Sequence, residues 1–146
     1  MTVRTSAGSS LAISSGTPAT QDVAGFSALT YTTIGEITNM GELGKVFNVV
    51  KHNPITNRRT QKFKGSYDQG TMALTMGRDT TDAGQAALNT ALASDSSYAF
   101  LLTLQGGHQM YFQAIVTDYK TNVGSVDQIT AASTSLDITS DIFEAN

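Results

Sequence analysis

The segment GTMALTM, Gly70 to Met76, places Met72, Leu74 and Met76 on one side of an extended chain and Thr71, Ala73 and Thr75 on the other. A helix would scatter these residues around its circumference, so the alternation demands a strand with one buried face. TSLDITSDI repeats the pattern near the end of the chain, with Leu136, Ile138 and Ile142 inward and Asp137, Thr139 and Asp141 outward. SYAFLLTLQ and QMYFQAIVTDY flank the pair Gly106-Gly107, which predicts two long, largely buried antiparallel strands joined by a tight turn. LTYTTIGEI, Leu29 to Ile37, alternates β-branched and aromatic residues and runs into NMGELG, so it reads as one strand followed by a glycine turn.

One segment departs from this period. In TDAGQAALNTALAS the residues Ala83, Ala87, Leu88, Ala91 and Leu92 share a helical face, and Asp82 followed three residues later by Gln85 resembles a capping box. The face is narrow and mostly alanine, which suits close packing on a sheet, and Gly84 weakens the helix by about 1 kcal/mol relative to alanine. Six or seven strands with one helix before the last three predict a mainly β fold: two antiparallel sheets forming a sandwich or barrel, with a flanking helix.

A chain of 146 residues with 40% apolar content can build one core. Residues 1–15 are rich in Ser, Thr, Ala and Gly and read as a flexible amino-terminal arm, leaving 16–146 as a single domain. The absence of cysteine removes disulfides, thiolate metal sites and cysteine nucleophiles together. No apolar run approaches the roughly 20 residues of a membrane span and the amino terminus lacks a signal-like apolar core, so a soluble, unanchored chain is expected.

Charge is divided unevenly. KVFNVVKHNPITNRRTQKFK, Lys45 to Lys64, holds six of the nine Lys and Arg residues, namely Lys45, Lys51, Arg58, Arg59, Lys62 and Lys64, with no Asp or Glu. The remaining three cations face twelve carboxylates, a balance of −9 outside this stretch. Lys45 to Val50 can form a strand, HNPITN carries loop chemistry, and RRTQKFKGSY resumes an extended run, so the basic stretch reads as a projecting hairpin. Alternation would line Arg58, Thr60, Lys62 and Lys64 along one face.

Three uses of that ridge are open: a grip on nucleic-acid phosphates, a contact with the acidic surface of another copy, or protection of an exposed strand edge. The acidic remainder repels a phosphate backbone at long range and favours self-association over a nucleic-acid-binding β module. Catalysis finds little support. His52 and His108 sit where loops expose them, the carboxylates are dispersed, and no H-E-x-x-H, G-x-S-x-G or P-loop pattern occurs, so neither enzyme activity nor a cofactor is expected.

GTPATQDVAGFSALTYTTIGEITNMGELG, HNPITNRRTQKFKGSYDQGTMALTMGRDTTDAGQAAL and NVGSVDQITAASTSLDITSDI together resemble the tail tube (major tail) proteins of long-tailed, siphovirus-like bacteriophages and related prophages. The resemblance covers most of the chain after about residue 16. It implies a sandwich or barrel of two antiparallel sheets with a flanking helix, similar also to type VI secretion tube proteins. It further implies six-membered rings stacked head to tail into a hollow tube, carried in the virion tail and made in the cytoplasm of the host bacterium. The implied partners are further copies of the chain, a tail-tip initiator complex, a tape-measure protein and a tail terminator, with genomic DNA passing through unbound. In that family a long hairpin and an amino-terminal arm reach the adjacent ring, which would make Lys45, Lys51, Arg58, Arg59, Lys62 and Lys64 contact residues between subunits.

Overall fold

The computed structural model describes residues 3–145, so Met1, Thr2 and Asn146, at the outer limits of the expected arm and domain, lie outside the described residues. Among the described residues the chain forms ten strands and two helices. These are β1 (Ser10–Ser14), α1 (Val23–Ser27), β2 (Thr32–Ile34), β3 (Ile37–Asn39), β4 (Val46–His52), β5 (Gln61–Asp68), β6 (Thr71–Gly77), α2 (Ala83–Ala93), β7 (Tyr98–Thr103), β8 (Gln109–Asn122), β9 (Ala131–Ile138) and β10 (Phe143–Ala145). All pairings are antiparallel. An eight-stranded sheet runs β2-β1-β7-β8-β9-β6-β3 with β10 also on β8, while β4 and β5 form a second, two-stranded sheet.

The two ends of that strand order, β2 and β3, are separated in the chain by Gly35 and Glu36 alone. Two residues span at most about 10 Å between their neighbours, so the sheet must curl until its edges nearly meet. The long strand β8 makes the curl possible: residues 109–114 pair with β7, whereas Ala114 to Asn122 pair with β9, a stagger that leaves the starts of β7 and β6 level with each other across β8 and β9. A bulge between Val116 and Asp118 bends β8 where it leaves β7 and continues along β9. The result is a sandwich that approaches a closed barrel.

Its interior holds the residues that alternation assigned to it. Met72, Leu74 and Met76 are buried in β6, Leu136 and Ile138 in β9, and Ile142 packs against the same cluster. Phe100 and Phe112 lie directly opposite each other in β7 and β8 and stack with centroids 5.5 Å apart. The glycine pair sits in the loop between those strands with φ of +98° and +95°, and the Leu104 N–H donates to the His108 carbonyl at 2.8 Å. Backbone in this left-handed region costs little only for glycine, as expected of the turn.

Three expectations change. The expected strand Leu29 to Ile37 is two strands on opposite edges of the sheet, because Glu36 adopts φ +61° and turns the chain between them. The flexible arm over 1–15 ends earlier: Ser10–Ser14 is β1, paired on both sides with β2 and β7, and Leu11 and Ile13 are buried. Its three apolar side chains between serines carry little local signal, and partners on both flanks supply the order. Thirdly, a second helix, the five-residue α1, was not anticipated; Asp22 caps it by accepting from Gly25 N–H at 2.8 Å, and Phe26 packs on Tyr111 and Phe143 over the outer face of β7 and β8.

Helix α2 occurs as expected, but its buried face is Gly84, Gln85, Leu88 and Ala91, while Ala83 and Leu92 face solvent. A Cβ at position 84 would collide with the Thr33 carbonyl and the backbone of Ile34, so glycine admits the helix to contact with β2. Half of the capping box forms: Asp82 Oδ2 accepts from Gln85 N–H at 2.9 Å. The Gln85 side chain does not reach back to the cap. Buried, it donates to the Gly35 and Gly77 carbonyls at 3.2 and 2.8 Å, and accepts from Asp79 N–H at 3.0 Å and from the Tyr119 hydroxyl at 3.2 Å. Asp82 Oδ2 also accepts from Gly35 N–H at 3.1 Å. The helix terminus thereby ties down the very link that closes the sheet.

Candidate functional site: the β4–β5 hairpin

Strands β4 and β5 pair only with each other, and none of their residues joins either core cluster. Their register sets His52 opposite Gln61, Lys51 opposite Lys62, Val50 opposite Phe63 and Val49 opposite Lys64. A bulge follows, after which Phe47 faces Tyr67 and Val46 faces Asp68. The bulge lets Asn48 oppose both Gly65 and Ser66, and the Asn48 amide donates to Ser66 Oγ at 3.1 Å.

Alternation across this register yields two unlike faces. One carries Phe47, Val49, Lys51, Lys62, Lys64 and Tyr67. There Phe47 and Tyr67 pack with centroids 5.3 Å apart, the Lys45 ammonium lies 4.3 Å from the centroid of Tyr67, and Lys64 lies 4.9 Å from that of Phe47. These contacts are cation–π interactions that stiffen the base of the hairpin. They also place an ammonium over each ring, where a nucleic-acid base would have to stack.

The opposite face presents Val46, Val50 and Phe63, exposed by 68%, 53% and 56%, and Ile55 stands at the tip. No described residue covers it. An isolated two-stranded hairpin is marginal in water, so a hairpin displaying apolar side chains on a folded body is poised for a partner.

The base is anchored from the other sheet. Asp141 Oδ1 accepts from the Tyr67 hydroxyl at 3.0 Å and from the Gln69 amide at 3.2 Å. The Gly44 N–H donates to the Gln69 carbonyl at 3.3 Å, and Ile138 N–H donates to the Gly70 carbonyl at 3.1 Å. The bond to the Asp141 carboxylate, then the charge of that carboxylate, raise the Tyr67 phenol above its ordinary value of 10.0.

Of the six expected contact residues, Lys45 and Lys64 thus pack on aromatic rings of their own hairpin. Lys51 and Lys62 lie opposite each other on exposed strands. Arg58 and Arg59 belong to the connecting loop rather than to β5, with Asn57 Oδ1 accepting from Arg59 N–H at 3.0 Å. The expected row of Arg58, Thr60, Lys62 and Lys64 therefore breaks at the start of β5, and Lys51 joins Lys62 and Lys64 from across the hairpin. Among the described residues no ion pair links a hairpin cation to a carboxylate.

Sequence reasoning passed over Val46, Val50, Tyr67 and Asp141. The signal for the valines was present, since KVFNVVKH puts apolar residues on both parities of one strand, which a half-buried strand would not do. Asp141 was read only as outward-facing, and its bond to Tyr67 spans 74 positions. His52 lies on an exposed strand, and His108 Nε2 is 3.3 Å from Glu144 Oε1. Among the described residues no cluster of His, Asp and Glu is arranged to hold a metal ion, and no helix is long and apolar enough to cross a membrane.

The fold has clear counterparts among solved structures. A chain of the anti-feeding prophage baseplate, six-fold symmetrised, aligns over 100% of this chain and 97% of its own with a TM-score of 0.71 at 12% identity. A chain from the sheath/tube terminator of the extracellular contractile injection system PVC, in the extended state, aligns over 100% and 99% with a TM-score of 0.71 at 8% identity. The SPP1 tail tube aligns over 94% of this chain and 76% of its own with a TM-score of 0.66 at 14% identity. At such identities the likeness is one of fold, and the fold is of the tail-tube type. No protein-family model matches the sequence, and no curated protein matches it.

Proposed function

We propose that this chain is the repeating subunit of a phage-type tail tube, a structural rather than catalytic protein, whose copies form six-membered rings that stack into a hollow conduit for DNA. The observation that carries this is the whole-chain tail-tube fold combined with a hairpin whose apolar face and cationic loop are left for another molecule. Six-fold symmetry in the anti-feeding prophage baseplate supports the ring number. The fold occurs both in a contractile injection system and in the SPP1 tail tube, so it points to a tube subunit without choosing a tail type. A tip complex to start the tube, a tape-measure protein to set its length and a terminator to end it are the partners such a subunit requires, in a virion tail.

The outer face of the β6–β9–β8 sheet suits passage of a polyanion. It presents Thr71, Ala73 and Thr75, then Ser133, Ser135 and Asp137, then Asp118 and Lys120. Short hydroxyl side chains with two carboxylates and one ammonium offer phosphates no cluster of cations, so DNA that enters is not retained.

Electron microscopy of the purified protein across a concentration series tests the proposal. Stacked rings or tubes are expected, with six subunits per ring. Particles that remain monomeric even when seeded with tail-tip complexes would defeat it.

A further inference from the structure

A second set of exposed apolar side chains lies in the β8–β9 loop, residues 123–130. Val123, Val126 and Ile129 stand out from it, Val126 fully exposed, and Asp127 is its one charged residue. Its position relative to the hairpin is fixed by register. Thr71 pairs with Asp137 at the end of the sheet from which the hairpin departs, and Gly77 pairs with Ala131 at the end from which this loop departs. Seven residues of β6 separate the two ends by about 20 Å. One sheet therefore carries an apolar, cation-rich projection at one end and an apolar, acidic loop at the other.

The end that bears the loop also carries Glu36 and Asp79, against Lys120 and Arg78, whose guanidinium is stacked 5.0 Å from the centroid of Tyr119. The stretch Lys45 to Lys64, by contrast, contains cations and no carboxylate. The loop end thus has a slight acidic excess that the cation-rich stretch of the hairpin complements, and both ends expose apolar side chains.

We infer that the apolar face of the hairpin, Val46, Val50 and Phe63, docks on the β8–β9 loop of a second copy, against Val123, Val126 and Ile129, with Arg58 and Arg59 of the hairpin's tip loop beside Asp127. Surfaces at opposite ends of one sheet make a heterologous contact, which repeats head to tail instead of ending at a two-fold pair. This names the acceptor surface for the stacking proposed above and rests on that proposal.

The competing acceptor is an apolar groove of about 710 Å³ lined by Ile37, Met40, Leu43, Leu102, Leu104 and Met110. It opens near the hairpin's own base, since Leu43 directly precedes Gly44, whose N–H bonds Gln69. A hairpin seated there would bring like ends of two copies together.

The chain has no cysteine, so introduced thiols report cleanly. Copies carrying Phe63→Cys are mixed with copies carrying Val126→Cys under conditions in which the unaltered protein forms tubes, and a short bismaleimide is added. Linked dimers are expected in the mixture and in neither sample alone, and a chain carrying both substitutions is expected to give a ladder of multimers. Linkage of Phe63→Cys to Met40→Cys in place of Val126→Cys, or a double variant that stops at dimers, would overturn the inference. So would tubes without linkage, and in that case the tube proposal stands; failure of the unaltered protein to assemble at all removes both.

A second measurement needs no cross-linker. Val126→Asp is expected to raise the concentration needed for assembly about tenfold or more while the circular dichroism spectrum is unchanged, because a carboxylate would be buried in an apolar contact. Thr90→Asp, at an exposed position of helix α2 and in neither surface, is expected to leave assembly unaltered, and equal effects of the two would refute the contact.

Discussion

Strands β6 and β5 are of similar length, seven and eight residues, and adjacent in the chain, yet they meet opposite fates. In β6 every second side chain is buried beneath a curled sheet, whereas in β5 no side chain is buried. β6 has β9 and β3 on its two flanks; β5 has only β4. The contrast shows that strand-forming sequence is not enough for a strand to gain stability from burial. A strand also needs a second layer, and among the described residues the hairpin has none. A body that is complete and a hairpin that is incomplete fit a subunit that folds alone and acts in company.

Core truncation provides the hardest test of that contrast. Phe100→Ala removes one member of the Phe100–Phe112 stack and is expected to cost about 3–5 kcal/mol in chemical denaturation, while Phe63→Ala, on the exposed hairpin, is expected to fall within about 0.5 kcal/mol and still impair assembly. A Phe63→Ala cost comparable with that of Phe100→Ala would mean that the hairpin packs on the body in solution.

Gln85→Ala should be next in size. It leaves the Gly35 and Gly77 carbonyls without their side-chain donor and loosens the link between β2 and β3, so a loss of about 1–3 kcal/mol is expected, together with faster hydrogen exchange in β2 and β3. Unchanged exchange there would show that the sheet stays curled without this tie.

On the hairpin, charge should separate stability from assembly. Lys51 and Lys62 are directly opposed, so Lys62→Glu replaces a like-charge pair by an opposite one and should stabilise the hairpin by about 0.2–1 kcal/mol. Arg58→Glu with Lys62→Glu is nevertheless expected to block tube formation, as scored by microscopy; normal tubes from that variant would remove the cations from the docking contact.

The smallest effect is that of pH at the hairpin base. Tyr67 is held above its ordinary 10.0 by Asp141, so the protonated phenol is favoured in the folded state. The stabilisation is fully present below pH 10 and is lost as pH rises through the folded value. Asp141→Asn should bring the ultraviolet titration of Tyr67 back towards 10.0, and no change would show that the carboxylate does not anchor the hairpin. At the acid end, Asp22 and Asp79 are lowered below 3.8, first by the Thr20 and Thr81 hydroxyls respectively, so their contribution is present above that pH and fades below it.

The sequence by itself determined β6 and β9, whose buried faces are written into every second residue, and β7 and β8, two largely apolar runs about a glycine pair. It also determined the α2 helix, the turn at Gly106 and Gly107, and the existence of a cation-rich hairpin. Tertiary structure decided what local pattern cannot encode. Ser10–Ser14 became an interior strand through partners about 20 and 90 positions away, and one apparent strand was divided by Glu36 so that its halves could sit on opposite edges of the sheet. Gln85 turned from a cap into a clasp, and Asp141 from an outward-facing residue into an anchor. The cations of Lys45 to Lys64 were legible as a cluster, but which of them pack on aromatic rings and which stand free depended on the bulge opposite Asn48. That bulge shifts the register by one residue, and with a period of two a single-residue shift changes the face to which every later side chain belongs.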